Sequence, residues 1–294
     1  MDMDIKYVND NKVCVIQEKN MVPYITFKGL NQYEDRLVHG FSTRLGGISK
    51  EHLSSMNLSF SRGDDSACVM ENHRRFAKAL GYDEKKLVFS SQVHKTNFHK
   101  VTKEDCGKGI IRENDILETD GLVTNVADIP LITFYADCVP LLFFDPVKNV
   151  IAMAHSGWRG TIEEIGAKMV FYMEGEYGCK ACDIVCAIAP SICQECYEVS
   201  EDVALQFVDK YEEWYIKHHK EMNELLYKKD NGKYQLNLQR ACEITLLNAG
   251  ILKEHLNVTD LCTCCNPDLF FSHRASHGLR GNLAAVMMLK STSN

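Results

Sequence analysis

Between Leu131 and Gly160 the chain reads LITFYADCVPLLFFDPVKNVIAMAHSGWRG, two apolar stretches joined by a short Asp-Pro turn. Apolar runs of this length, bounded by turn residues, predict a pair of core strands. The first is interrupted by Asp137-Cys138, and the second ends in His155-Ser156-Gly157-Trp158-Arg159-Gly160. Elsewhere, alternation over residues 12–28 predicts a hairpin, and RLVHGFS (36–42) predicts a further strand. Short strands are expected at 87–93, 120–124, 184–188, 258–262 and 269–272. Helical spacing appears at 66–80, with Ser66 as N-cap and Gly81 as stop, and again at 161–177, 200–218 and 236–249. Residues 100–115 read as a charged loop and 222–233 as a polar connection. LAAVMML (283–289) fits a strand or a helix, since periodicity does not separate the two.

Strands and helices alternate irregularly, with no βαβ rhythm and no GxGxxG loop. No repeat or low-complexity linker divides the 294 residues. The expectation is a mixed α+β fold forming a single domain over residues 1–294.

Composition narrows the function. The formal net charge of −7 leaves no global basic footprint, so nucleic acid is not an expected partner and small molecules are. No apolar run approaches the roughly 20 residues that span a bilayer. The polar start MDMDIKYVND lacks the features of a signal peptide, so the expectation is a cytoplasmic protein away from the membrane. Thirteen cysteines, an odd number in a long chain, suit reduced thiols better than a disulfide framework.

Three side chains stand where polar groups are costly: Cys138, His155, and His94 at the end of LVFSSQV. Two imidazoles and a thiolate suit Zn²⁺ and leave a fourth position open, whereas singly each reads as an ordinary core thiol or a hydrogen-bonded histidine. The same set is equatorial in copper centres, so Cu²⁺ is the alternative metal. A multicopper cluster needs paired histidines, and the eleven histidines here include no His-x-His. Cys138 with a histidine base would also make a thiol hydrolase. Two CxxC pairs, Cys179/Cys182 and Cys193/Cys196, form a zinc-module signal, although only ten residues separate them. Cys262, Cys264 and Cys265 cluster further on, and reduced thiols are the simpler reading of both groups. Arg44 before Gly46-Gly47 could cradle an anion or be an ordinary turn.

HGFSTRLGGIS (39–49), SQVH (91–94), DGLVT (120–124), ADCVPLLFFDP (136–146), AHSGWRGT (154–161), IAPSICQECYEV (188–199) and FFSHR (270–274) together resemble the laccase-domain family, across about residues 39–289. Its members were first called polyphenol oxidoreductases and are now regarded as zinc-associated purine nucleoside phosphorylases. The resemblance implies metal ligands at His94, Cys138 and His155. It also implies a layered α/β/β/α sandwich with mixed sheets, similar to toxin-type cysteine hydrolases. The implied substrates are adenosine, inosine, guanosine and S-methyl-5′-thioadenosine with phosphate, and adenosine deamination is implied as a side activity. Some bacterial members look like peptidoglycan editing factors, so an amidohydrolase acting on cell-wall precursors is the alternative. For phosphorolysis the expected phosphate clamp is Arg44 with Gly46 and Gly47, or else Arg75 or Arg159. For deamination, Asp137 is expected to carry the proton or to orient a histidine. Both monomer and homodimer remain open. Two departures stand out: the family's Arg-Asp-Gly and Thr-Gly-Arg run is here Arg274-Ala-Ser-His277-Gly278-Leu-Arg280-Gly281-Asn282, and Cys193 stands where Gly is common.

Overall fold

The computed structural model describes residues 4–291. Two six-stranded sheets form its middle. One runs Cys14–Lys19, Val22–Phe27, Leu37–Ser42, Leu283–Leu289, Leu131–Tyr135, Val88–Phe89; the other runs Leu256–Val258, Val185–Ile188, Val139–Asp145, Val150–Ser156, Gly121–Thr124, Phe98–Lys100. Both mix parallel and antiparallel pairs, as expected.

The central strands read as almost unbroken apolar runs because both faces of each sheet are covered there. Along Val139–Asp145, Leu142 and Phe144 point into the core between the sheets, with Phe41, Leu131 and Met287 opposite. Leu141 and Phe143 point the other way, toward the helices Ile165–Tyr177, Glu201–Lys217 and Leu238–Asn248. LAAVMML resolves as a strand by the same logic. Leu283, Ala285 and Met287 face the inter-sheet core, while Ala284, Val286 and Met288 face the helix Ser66–Leu80 with its Phe76 and Ala77. The layering is therefore helix, sheet, sheet, helix. Among the described residues no helix is long and apolar enough to cross a membrane.

Several local expectations change. The helix at 66–80 is capped one residue earlier than expected, by the Asp65 carboxylate accepting the Ala67 N–H at 2.8 Å, and it stops at Gly81 (φ 88°). The expected strand at 87–93 ends at Phe89, because the following backbone turns to serve Asp120 instead. The helix expected at 161–177 is two, Trp158–Ile162 and Ile165–Tyr177, separated by Glu164 in the left-handed region (φ 58°). Residues 269–272 form no strand. Their buried apolar run is a turn, in which the N–H groups of Leu269 and Phe270 both donate to Asn266 O. The strand expected at 258–262 lies earlier, at Leu256–Val258. The connection at 222–233 contributes Leu226–Lys228 to a small third sheet with Glu198–Val199 and Tyr234–Leu236.

Candidate metal centre and adjoining cavity

His155 lies on the last turn of pairing of Val150–Ser156, opposite Pro140, and is 3 % exposed. The neighbouring strand starts just after Cys138, so the register sets thiol and imidazole side by side. His94 comes from the loop after Phe89 and is exposed. Its Nε2 lies 4.0 Å from Cys138 Sγ, and its ring meets that of His155 edge-on with centroids 4.7 Å apart. One ligand atom from each of the three residues lies within 4.8 Å of the others.

The organiser of this group is Asp120, fully buried at the start of Gly121–Thr124. Its carboxylate accepts the backbone N–H groups of Val93 (3.1 Å), His94 (3.0 Å) and Lys95 (2.8 Å), and bonds His155 Nδ1 at 2.9 Å. Three successive amides around one anion make a nest, which holds His94 at a φ of 61°. The bond to Nδ1 turns His155 Nε2, on the ring's other edge, toward Cys138, the arrangement in which a carboxylate orients a metal-ligating imidazole. Burial alone would raise the Asp120 carboxyl's pKa, but His155 and the Lys95 and Val93 amides outweigh it and leave it lowered. Burial would likewise push the Cys138 thiol up. The charge and hydrogen bond of His155, with help from His94, bring it down to about 6. The N₂S donors thus converge on one point with a low-pKa thiol, and they fit a metal ion.

Gly157 lets the three residues pack this closely. A Cβ there would stand 2.7 Å from His94 Cδ2 and 3.3 Å from Cys138 Sγ.

Asp137 does not face the centre as a free proton carrier. Its φ of 86° turns the side chain away, where one oxygen accepts Thr263 Oγ1 and the other the Arg274 N–H, both at 2.7 Å. It fixes the backbone that presents Cys138. The expected catalytic role of Asp137 is therefore corrected to a positioning one.

A cavity of about 530 Å³ opens onto Cys138, His94 and His155. Phe60, Phe89 and Phe134 form an aromatic wall, with Phe89 and Phe134 edge-to-face at 5.0 Å. Arg62 and Arg280 line the same cavity. Arg62 donates to the carbonyls of Arg280 and Gly278 with no carboxylate partner among the described residues, and Arg280 Nε is buried with no hydrogen-bond partner. Burial and the neighbouring Arg62 charge lower the Arg280 guanidinium to about 10. Two crowded, unneutralised guanidiniums make this end of the cavity a place for an anion.

The arginines and glycines expected from sequence sit elsewhere. Arg44 Nε donates to Ser54 O and Nη1 to Pro267 O, both at 2.9 Å, and the guanidinium lies over Phe271. Gly47 N–H is spent on Ser55 Oγ, and Gly46 (φ 86°) is packed against Met21 O. Arg75 is held by Glu71 and Gly46 O. None of these four lines the cavity. Arg159 stacks on Trp158 and borders a smaller recess of about 150 Å³ on the other side of Cys138 and His94. Asp120, Arg62 and Arg280 went unassigned in the sequence. Asp120 stands in the DGLVT block and Arg280 in the stretch that departs from the family pattern, so both lay close to visible signals.

A family model described as multi-copper polyphenol oxidoreductase laccase matches residues 38–290. Among similar proteins, purine nucleoside phosphorylase YlmD of Bacillus subtilis (strain 168) is 34 % identical over 261 residues, covering 88 % of this chain and 91 % of that one. A solved structure of a Bacillus licheniformis hypothetical protein YfiH superposes with a TM-score of 0.83 at 32 % identity, over 94 % of this chain and 99 % of that chain. The crystal structure of YlmD from Geobacillus stearothermophilus gives 0.82 at 30 % identity, over 95 % and 100 %.

Proposed function

This chain belongs to the polyphenol oxidoreductase laccase family, and on that premise we propose that it is a zinc-dependent purine nucleoside phosphorylase, converting nucleoside and phosphate to free base and ribose 1-phosphate. The observation that carries the reading is one cavity that joins an aromatic wall, two unneutralised arginines and the His94/Cys138/His155 group.

Each part has a task in that reaction. Phe60, Phe89 and Phe134 offer the faces and edges on which a purine stacks. Arg62 and Arg280 hold phosphate, and their charges stabilise the dianion as it approaches the anomeric carbon. Zinc, when bound by His94, Cys138 and His155, supplies Lewis-acid polarisation of a substrate oxygen. Asp120 keeps His155 in the tautomer whose Nε2 can act as ligand. Adenosine, inosine, guanosine and S-methyl-5′-thioadenosine are the proposed substrates, since nothing in the aromatic wall selects one 6-substituent. The site lacks the further histidines of a multicopper centre, so multicopper oxidase chemistry is no part of the reading, although the same three donors could hold a single copper ion. For adenosine deamination the described cavity lining offers no carboxylate to move the proton, so that activity is expected to be slow compared with phosphorolysis.

The test is incubation of metal-quantified protein with inosine, with and without phosphate. Phosphate-dependent release of hypoxanthine supports the reading. Equal release without phosphate makes the protein a hydrolase, and no release from any of the four nucleosides overturns the nucleoside assignment.

A further inference from the structure

The two CxxC pairs noted in the sequence do not face each other. Cys179 is buried beside Asp145, and Cys182 is exposed with its thiol toward Asp183. Instead Cys193 and Cys196 meet a second pair from a distant part of the chain, Cys262 and Cys265, which is itself spaced CxxC. The four sulfurs all lie within 4.8 Å of one another, with Cys193–Cys265 at 3.8 Å and Cys196–Cys265 at 3.4 Å.

We propose that Cys193, Cys196, Cys262 and Cys265 form a second, structural zinc site with tetrahedral tetrathiolate coordination. Zinc–sulfur bonds of about 2.3 Å in a tetrahedron place the sulfurs about 3.8 Å apart, close to the spacings found. All four cysteines are free thiols, so no disulfide competes for them in this structure. The backbone is arranged for negative sulfur. The N–H groups of Cys193 (3.2 Å) and Cys265 (3.4 Å) both donate to Cys262 Sγ, which is fully buried. Cys196 and Cys265 are only half-buried, which leaves a way in for the ion. Cys264, one residue from the ligand pair, belongs to no such group among the described residues.

The site would brace the wall behind Cys138. Ser191 and Cys262 form a bridge between the two loops, Ile192 N–H donates to Asp137 O, and Thr263 Oγ1 donates to the Asp137 carboxylate. Arg274 completes the frame, its guanidinium on Cys196 O and Glu198 O and its N–H on Asp137. Both cysteine loops therefore hold the residue that presents Cys138, although none of the four cysteines lines the large cavity. Loading the site releases the thiol protons and stabilises the folded chain, as structural zinc does elsewhere.

The experiment uses the full chain carrying H94A/H155A, reconstituted with Zn²⁺, dialysed, and examined by metal analysis and zinc X-ray absorption. The expected result is one zinc per chain surrounded by four sulfurs at about 2.3 Å. A metal-free protein, a shell containing nitrogen or oxygen, or a mass lower by two hydrogens showing a disulfide would each overturn the proposal. Should that variant not fold, the wild-type protein decides the matter. Two zincs per chain with five sulfurs and two imidazole nitrogens between them, or one zinc with four sulfurs, support the site, and zinc found only in a shell with imidazole nitrogen refutes it. Either outcome is independent of whether nucleosides are turned over.

Discussion

Replacing Asp120 by Asn keeps its size and changes only what it can accept. In the native site Oδ1 serves His94 N–H and His155 Nδ1, and Oδ2 serves Val93 N–H and Lys95 N–H. An amide has one acceptor oxygen, so whichever way it is placed its NH₂ confronts two groups that were donating. If it confronts the Val93 and Lys95 amides, two bonds to a charged acceptor are lost. If it confronts His94 and His155, the imidazole must switch tautomer and put its proton on Nε2, the nitrogen a metal needs. Bonds to charged groups are worth about 1.5–3 kcal/mol each, so the first placement costs about 3–6 kcal/mol of stability. That is a large share of the roughly 5–15 kcal/mol that holds a typical domain. The second placement lowers metal affinity by about 10- to 100-fold, the usual effect of losing a carboxylate behind a ligating histidine. Urea unfolding of metal-free D120N, together with zinc competition against a chromophoric chelator, measures both quantities. Glu118→Gln is the control, because it removes only an exposed pair with Lys95 on the same loop. A D120N protein matching the control in both stability and zinc affinity would refute the role given to Asp120.

Three further outcomes follow from the geometry. Gly157→Ala drives a methyl against His94 Cδ2, so zinc affinity should fall at least tenfold in the chelator assay while the urea midpoint changes little. Arg62→Met or Arg280→Met should raise the KM for phosphate about tenfold or more and that for inosine far less, whereas Arg44→Met should lower stability and leave the phosphate KM alone. Asp105, at the end of the turn Lys103–Asp105, gives a pH signature. Burial would raise its carboxyl, but the Thr102 amide, Lys108 and His99 hold it down at about 2 from an ordinary 3.8. Because the folded pKa is the lower one, the stability it contributes is complete above about pH 3.8 and is lost as pH falls toward 2. The stability gap between wild type and Asp105→Asn, measured by urea unfolding, should therefore close over that acid window. A gap that persists at pH 2 would contradict it.

How much of this was legible in the sequence depends on the range of the interaction. The core strands and the helix at 66–80 follow from local patterns, and the layered architecture from the resemblance. His94, Cys138 and His155 stand out because a thiol or imidazole at a strand end is conspicuous, and the fold brings the three together. Asp120 was not, because its importance lies in where its carboxylate points, across to residues 93–95 and 155. Arg44 looked like an anion clamp because Arg followed by Gly-Gly has that local form, yet tertiary packing spends its donors on Ser54 and Pro267 carbonyls. Arg280 occupies a segment that departs from the family pattern, and only the fold brings it beside Arg62. The cysteines teach the same lesson. The nearest CxxC pairs in sequence, at 179 and 193, are not partners, and the partner of 193–196 stands at 262–265. Local sequence names the chemistry, and sheet register and long loops decide which residues share it.

The central claim is that the His94/Cys138/His155 group and the two arginines beside it serve one phosphorolytic reaction. Phosphorus NMR of inosine with inorganic phosphate, run with zinc-quantified wild type and with Cys138→Ala, tests it most directly. The account predicts ribose 1-phosphate appearing in step with hypoxanthine for the wild type, and both lost together with the bound zinc of this site in Cys138→Ala. Undiminished ribose 1-phosphate from the Cys138→Ala protein, or hypoxanthine released by the wild type with no phosphorylated sugar, would contradict it.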